Sequence, residues 1–214
     1  MIRGVLFDMD GVLADSESFI CQAAIMMFSE LGSKVTPADF QPFIGTGENM
    51  YIGGVAAKYG ISVDILSVKA RVYEIYGNIA KGNLFPLPGA HEFIASCLKE
   101  KLILALATSA DKIKMEINLQ EIGLSASIFK SIVTGADVER KKPFPDIYIK
   151  TAQELGLEPG ECLVVEDAVS GIRAGKAAGC RCLAVTTSFR ADELREADWI
   201  CNSLLNVPEA AIRW

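Results

Sequence analysis

The chain has 214 residues, half of them hydrophobic and 22% charged, which is enough apolar material for one large domain or two small ones. A formal net charge of −6 with no lysine or arginine cluster excludes the footprint of a nucleic-acid binder, and runs such as Leu102 to Ala107 are too short to span a bilayer, so neither nucleic acid nor membrane is an expected partner. The six scattered cysteines read as reduced core thiols of a cytosolic protein, no leader pattern precedes the first apolar run, and the single histidine, His91, argues against a Ser-His-Asp triad or a His-rich metal site.

In chain order, Val5-Leu6-Phe7 is an apolar run ending in acid and glycine, which predicts a buried strand that delivers side chains to a rim. Asp8 and Asp10 follow it two residues apart. In an extended segment such residues share a face, and two adjacent carboxylates repel unless a cation or a shared proton relieves them. Residues 16 to about 82 then change character. Phe19, Ile20, Ala23, Ala24, Met27, Phe28 and Leu31 recur at helical spacing up to Gly32. Thr36-Pro37-Ala38-Asp39 offers an N-cap, a proline at the first helical position and an acid at the third. Residues 53–59 and 62–76 also read as helical, and no strand is visible. Gly45-Thr46-Gly47-Glu48-Asn49 lacks the third glycine and the preceding strand of a dinucleotide loop. A turn-rich return linker runs from Lys81 to Gly89.

The second half alternates. Leu102–Ala107, Ser131–Val133, Cys162–Val165 and Cys182–Val185 are strand-like, with helices expected near 89–100, 111–122, 145–156 and 169–178. The expected fold is an α/β, Rossmann-like parallel sheet core from residues 1–14 and 84–214, with an all-helical cap inserted over 15–83. Gly171, Gly175 and Gly179 recur every four residues, which reads as close helix packing rather than as a ligand groove.

In an open parallel sheet the carboxyl ends of the strands share one edge, where ligands bind. Four sites fall there: Asp8 with Asp10, Thr108 with Ser109, Lys142, and Glu166 with Asp167. Taken together the set suits phosphoryl transfer. Asp8 serves as nucleophile if its charge is screened from the phosphate. A divalent cation held by Asp8, Asp167 and carbonyl or water oxygens supplies that screening, and hard oxygen ligands favour Mg²⁺. Thr108 and Ser109 donate to phosphoryl oxygens, Lys142 brings fixed positive charge, and Asp10 is placed for proton transfer to the leaving oxygen and from water.

Val5-Leu6-Phe7 followed by Asp8-Met9-Asp10-Gly11-Val12-Leu13 resembles the first motif of the haloacid dehalogenase superfamily. Thr108-Ser109, Lys142-Pro143 and Glu166-Asp167 with Ser170-Gly171 resemble its later motifs, and Lys142 to Tyr148 is similar to the branch containing β-phosphoglucomutase and small sugar-phosphate phosphatases. The resemblance implies a Rossmann-like core with a helical cap, an aspartyl-phosphate at Asp8, and Mg²⁺ held by Asp8, the Asp10 backbone carbonyl and Asp167, with Glu166 acting through water. It also implies a phosphate pocket at Gly11, Thr108, Ser109 and Lys142, and substrate contacts from the cap loop Gly45, Thr46, Gly47 and Glu48. Asp10 and the Glu166-Asp167 pair set the chain apart from the metal-free dehalogenases and the phosphonate-cleaving branch. Ser16–Ile20 holds no histidine and the cap loop no arginine, which favours hydrolysis over a mutase. The expectation is a cytoplasmic, Mg²⁺-dependent phosphatase for a small phosphorylated metabolite, monomeric or weakly dimeric. The alternatives are a sugar phosphomutase and a catalytically weak binding protein on the same scaffold.

Overall fold

The computed structural model describes residues 1–43 and 47–214. Six parallel strands form one sheet: β1 (Gly4–Phe7), β2 (Ile103–Ala107), β3 (Ser131–Val133), β4 (Cys162–Glu166), β5 (Arg181–Val185) and β6 (Trp199–Cys201). Their order across the sheet is β3-β2-β1-β4-β5-β6. This is an α/β, Rossmann-like sheet, and its order reverses direction at β1, so the crevice between β1 and β4 is the topological switch point.

Strand residues alternate between two cores, as the period of two demands. Val5, Phe7, Leu104, Leu106, Leu163 and Val165 face one side, against α5 (Ala90–Lys99) and α6 (Lys112–Glu121). Leu6, Ala105, Ala107, Val164, Cys182 and Ala184 face the other, against α7 (Asp146–Leu155) and α8 (Val169–Ala178). Burial on both faces explains why these strands read as continuous apolar runs. All six cysteines are free thiols, and five are buried.

Between β1 and β2 the described residues form helices: α1 (Glu17–Glu30), α2 (Pro37–Phe40), α3 (Glu48–Lys58) and α4 (Ile65–Ala80). The Thr36 cap forms as expected, with its amide donating to Asp39 Oδ2 at 2.7 Å. The Phe28, Phe40 and Tyr51 rings meet in turn at tilted angles, with centroids 6.1 and 4.8 Å apart. The two connections to the sheet lie side by side, because Ala14 bridges Pro86 and the Leu87 amide donates to the Leu13 carbonyl at 2.9 Å. Across the junction, α4 rests on α6, and the Tyr73 hydroxyl reaches Asp111 at 2.9 Å. Among the described residues no helix is long and apolar enough to cross a membrane.

Some expectations need correction. Helix α3 begins at Glu48 rather than near residue 53, so Glu48 is a helix residue and not part of a loop. The edge strand β6 has no counterpart in the sequence reading. Gly171 and Gly175 pack closely as expected, since a Cβ on Gly171 would lie 1.8 Å from a Glu166 oxygen and one on Gly175 2.7 Å from the Cys182 sulfur; Gly179 instead ends α8 as its left-handed C-cap, with φ of +90°.

Candidate active site

Hydrogen bonding between β1 and β4 continues one residue past β1, where the Asp8 amide donates to the Val165 carbonyl at 3.0 Å. That pairing puts Asp8 at the carboxyl end of its strand, beside Glu166 and Asp167. Ligand oxygens of the three acids lie within 4.8 Å of one another, and all three residues are buried. Lys142 enters from the loop before α7. Its ammonium donates to Asp8 Oδ1 at 2.7 Å and Glu166 Oε1 at 2.6 Å, with the side chain 6% exposed.

The charges do not balance. Three buried carboxylates meet one ammonium group. Burial pushes the Asp8 carboxyl up to about 7, with the Glu166 and Asp10 carboxylates pushing the same way and Lys142 pulling against them. Burial, then Glu166 and Asp8, also raises Asp167 well above the usual carboxylate range. Although burial opposes its charge, Asp8 and Glu166 hold Lys142 above the ordinary lysine range. A cluster of hard oxygen donors that carries excess negative charge in a low-dielectric site fits a divalent cation.

The acids are not equivalent. Glu166 is fully engaged: Oε1 accepts from Lys142 and from the Tyr148 hydroxyl at 2.7 Å, and Oε2 accepts from the amides of Asp167 and Ala168 at 3.0 and 3.2 Å. It therefore orients Lys142 more directly than it offers a ligand atom. Gly171 leaves room for that carboxylate, since a side chain there would collide with it. Asp10 belongs to a different neighbourhood. Its carboxylate accepts from Ser16, from Lys114 at 2.8 Å and from Asn118 at 3.2 Å, all at the junction of the helical segment and α6. Its side chain is thus outside the three-acid cluster, although its backbone lies next to it in sequence.

Thr108 and Ser109 follow β2 as expected and line the same cavity. Thr108 Oγ1 accepts from the Ala110 amide at 3.1 Å, which leaves its hydroxyl proton free to be donated. Gly11 also lines the cavity, with φ of +76° and no space for a side chain beside Asp167. Its amide is spent on the Ala14 carbonyl at 2.8 Å, so Gly11 offers a phosphate room rather than its N–H. Of the cap-loop residues, Gly45 and Thr46 lie outside the described residues. Gly47 and Glu48 line the cavity wall opposite the acids.

The cavity is about 120 Å³ and lies between the sheet edge and the helical segment. The sequence reading missed Lys114, Asn118 and Tyr148. Lys114 and Asn118 are four apart on the helix that starts at the rim after Thr108-Ser109, and that spacing is the one signal that pointed to them. Lys114 is 3% exposed, and although burial opposes its charge, Asp10 and Glu48 hold it above the ordinary lysine range.

The pattern of the haloacid dehalogenase-like hydrolases matches residues 5–185. The protein SUPPRESSOR OF QUENCHING 1 of Arabidopsis thaliana is 43% identical over 92% of the chain, which spans 19% of that protein's length. Hexitol phosphatase A of Escherichia coli (strain K12) is 32% identical, covering 94% of this chain and 91% of its own. The crystal structure of CbbY from Rhodobacter sphaeroides in complex with phosphate superimposes with a TM-score of 0.90 at 27% identity, over 100% of both chains.

Proposed function

The chain belongs to the haloacid dehalogenase-like hydrolases, and from that premise we propose that it is a Mg²⁺-dependent phosphatase of a small, sugar-phosphate-like metabolite. The carrying observation is the buried meeting of Asp8, Lys142, Glu166 and Asp167 at the floor of a small cavity. A non-catalytic domain has no use for three buried carboxylates held against one lysine, since that arrangement is costly without a charged ligand.

Residues 15–83 act as a cap over a core of residues 1–14 and 84–214, and the cap wall excludes water from the reacting group. Asp8 attacks phosphorus through one carboxylate oxygen, the ester bond breaks, and the leaving alkoxide takes a proton from Asp10. Asp10 then removes a proton from water, which attacks the aspartyl-phosphate and restores Asp8. Ser16, Lys114 and Asn118 hold the Asp10 carboxyl in place. Lys142 and the Thr108 and Ser109 hydroxyls steady the phosphoryl oxygens. Asp8, Asp167 and the Asp10 backbone carbonyl would hold Mg²⁺, with Glu166 orienting Lys142 beside them rather than acting through water as the resemblance implied. When bound, the ion screens the phosphate dianion from the nucleophile.

The relatives support the substrate class, since one is a hexitol phosphatase and another is a CbbY crystallised with phosphate. Phosphate release from a panel of phosphorylated metabolites, with Mg²⁺ and after exhaustive chelation, tests the proposal. It expects turnover that chelation removes and that Asp8→Asn abolishes. Full activity in the chelated enzyme, or no release from any member of the panel, overturns it.

A further inference from the structure

Lys142 has a neighbour that takes no part in the chemistry proposed above. An ammonium group has three protons to donate. Those of Lys142 go to Asp8 Oδ1 at 2.7 Å, Glu166 Oε1 at 2.6 Å and the Ala107 carbonyl at 3.4 Å. Beside it lies Tyr148, in the first turn of α7 and 0% exposed. The Tyr148 ring centroid is 5.2 Å from the Lys142 nitrogen, within the range of a cation–π contact. Its hydroxyl donates at 2.7 Å to the same Glu166 oxygen that Lys142 uses. Burial, and then the Glu166 and Asp8 carboxylates, hold that hydroxyl in its protonated form. Glu166 Oε2 meanwhile accepts from the Asp167 and Ala168 amides, so the tyrosine proton completes the four acceptor sites of the carboxylate. Pro143 and Pro145 fix two φ angles in the short connection from the lysine to the tyrosine.

We infer that Tyr148 is a positioning residue for Lys142: its hydroxyl fixes the rotation of the Glu166 carboxylate, its ring backs the ammonium group, and together they keep Lys142 aimed at Asp8. This rests on the phosphatase reading above and adds a residue to that site. The hydroxyl matters because Glu166 Oε1 divides its attraction between two donors. Without the tyrosine proton, the carboxylate turns toward the lysine and draws the ammonium group away from the nucleophile. The ring matters because its electron-rich face attracts the ammonium group without competing for its protons. The two short, charge-assisted bonds then set the position of the lysine. The long bond to the neutral Ala107 carbonyl is the weakest of the three, and it is the one that an arriving phosphoryl oxygen replaces.

The test uses p-nitrophenyl phosphate with Mg²⁺. Tyr148→Phe keeps the ring and removes the hydroxyl. It should lower kcat about tenfold, the worth of one hydrogen bond to a charged group, and move KM by less than about twofold. Tyr148→Leu, which also removes the ring, should lower kcat further. Placed in a Glu166→Gln background, Tyr148→Phe should cost less than about threefold, because the carboxylate through which it acts is gone. Full kcat in Tyr148→Phe overturns the inference. So does a loss as large in the Glu166→Gln background as in the wild type, which marks a merely structural role. The Lys142 ammonium group gives a readout without turnover. In proton–nitrogen spectra of lysine-labelled protein, the signal that disappears in Lys142→Met should exchange slowly with solvent in the wild type and several-fold faster in Tyr148→Phe. An exchange rate unchanged by Tyr148→Phe overturns the inference, even where Glu166→Gln is too inactive for the double comparison. If the wild type releases no phosphate, the phosphatase reading fails and ammonium exchange alone decides whether Tyr148 positions Lys142.

Discussion

Asp8 and Asp10 are neighbours in sequence and occupy different surroundings, and that separation defines their proposed jobs. Asp8 shares its oxygens with Lys142 in the three-acid cluster, whereas Asp10 is held by Ser16, Lys114 and Asn118. Asp8→Asn should therefore form no phosphoenzyme at all. Asp10→Asn should lower kcat by roughly 10²- to 10⁴-fold, the usual worth of general acid–base catalysis. Its first step should survive best with p-nitrophenyl phosphate, whose leaving group needs little protonation. Trapped, radiolabelled aspartyl-phosphate should then accumulate on Asp10→Asn, and label on Asp8→Asn would point to another nucleophile. Lys142 and Lys141 make a second comparison at this scale. Lys142→Ala leaves two buried carboxylates without their cation and should cost about 3 kcal/mol or more of stability along with activity. Among the described residues Lys141 donates to the Gly135 carbonyl, and Lys141→Ala should stay within about 1 kcal/mol. Denaturant melts and phosphate release check both, and equal losses would remove the distinction. The acids and Lys142 were legible in sequence because each stands at a strand end or beside a proline in a recognisable order. Lys114 was not, since a helix lysine looks like a surface residue until the fold brings Asp10, over a hundred positions away, onto it.

At the scale of elements, legibility followed length and punctuation. Strands β1, β2, β4 and β5 are buried on both faces and read directly as apolar runs. Strand β6 has three residues at one sheet edge, as β3 has at the other, but among the described residues no helix separates it from β5, so the strand–helix alternation that reveals β3 is missing there. The start of helix α3 is hidden in the sequence, because Gly53 and Gly54 break its apolar pattern and Glu48-Asn49 resembles a polar loop. Gly54 is required where it stands, since a Cβ there would lie 2.3 Å from the Phe43 ring. Helix α2 carries a pH prediction. The Lys58 ammonium, the Thr36 amide and hydroxyl and the Tyr59 hydroxyl hold the Asp39 carboxyl well below the usual carboxylate range. A depressed acid stabilises the fold above its unfolded pKa of about 3.9, and that contribution is lost as pH falls further toward the folded value. Denaturant midpoints should thus fall more steeply below about pH 4 in the wild type than in Asp39→Asn. Parallel curves would show that the network does not couple to stability. Helix α8 carries another. Gly171→Ala drives a methyl into the Glu166 carboxylate that orients Lys142, and should destabilise by about 1–3 kcal/mol as overpacking does. Its activity should fall along with its melting point, while Gly160→Ala, which meets open space, should change neither.

At the scale of the whole molecule, the sheet order brings together residues that sequence keeps far apart. Asp8, just past β1, and Glu166, at the end of β4, are more than 150 positions apart, yet the two strands are adjacent, and the helices leave the switch point on opposite faces to open the crevice between them. The same topology concentrates like charge: Asp8, Glu166 and Asp167 are buried together, and among the described residues Lys142 is the cation paired with them. The fold therefore carries a repulsion that a bound cation relieves, and Mg²⁺ should act as a folding ligand as well as a catalytic one. At about 100 times its dissociation constant, an ion that binds only the folded chain stabilises by about 2.7 kcal/mol. For a chain of this length that is a rise in melting temperature of about 5–10 °C. Asp167→Asn separates this account from a general salt effect, because it moves two quantities in opposite directions. Without metal, the variant should be at least as stable as the wild type, since one of three crowded buried carboxylates is gone. With Mg²⁺ it should gain little, since a ligand oxygen is gone too. A salt effect predicts the same shift in both proteins and the same shift with K⁺ at equal ionic strength. Melting curves of the two proteins, chelated and then titrated with Mg²⁺ or K⁺, distinguish the cases, and a metal-free Asp167→Asn that melts well below the metal-free wild type would show that Asp167 holds the fold by its own contacts rather than straining it.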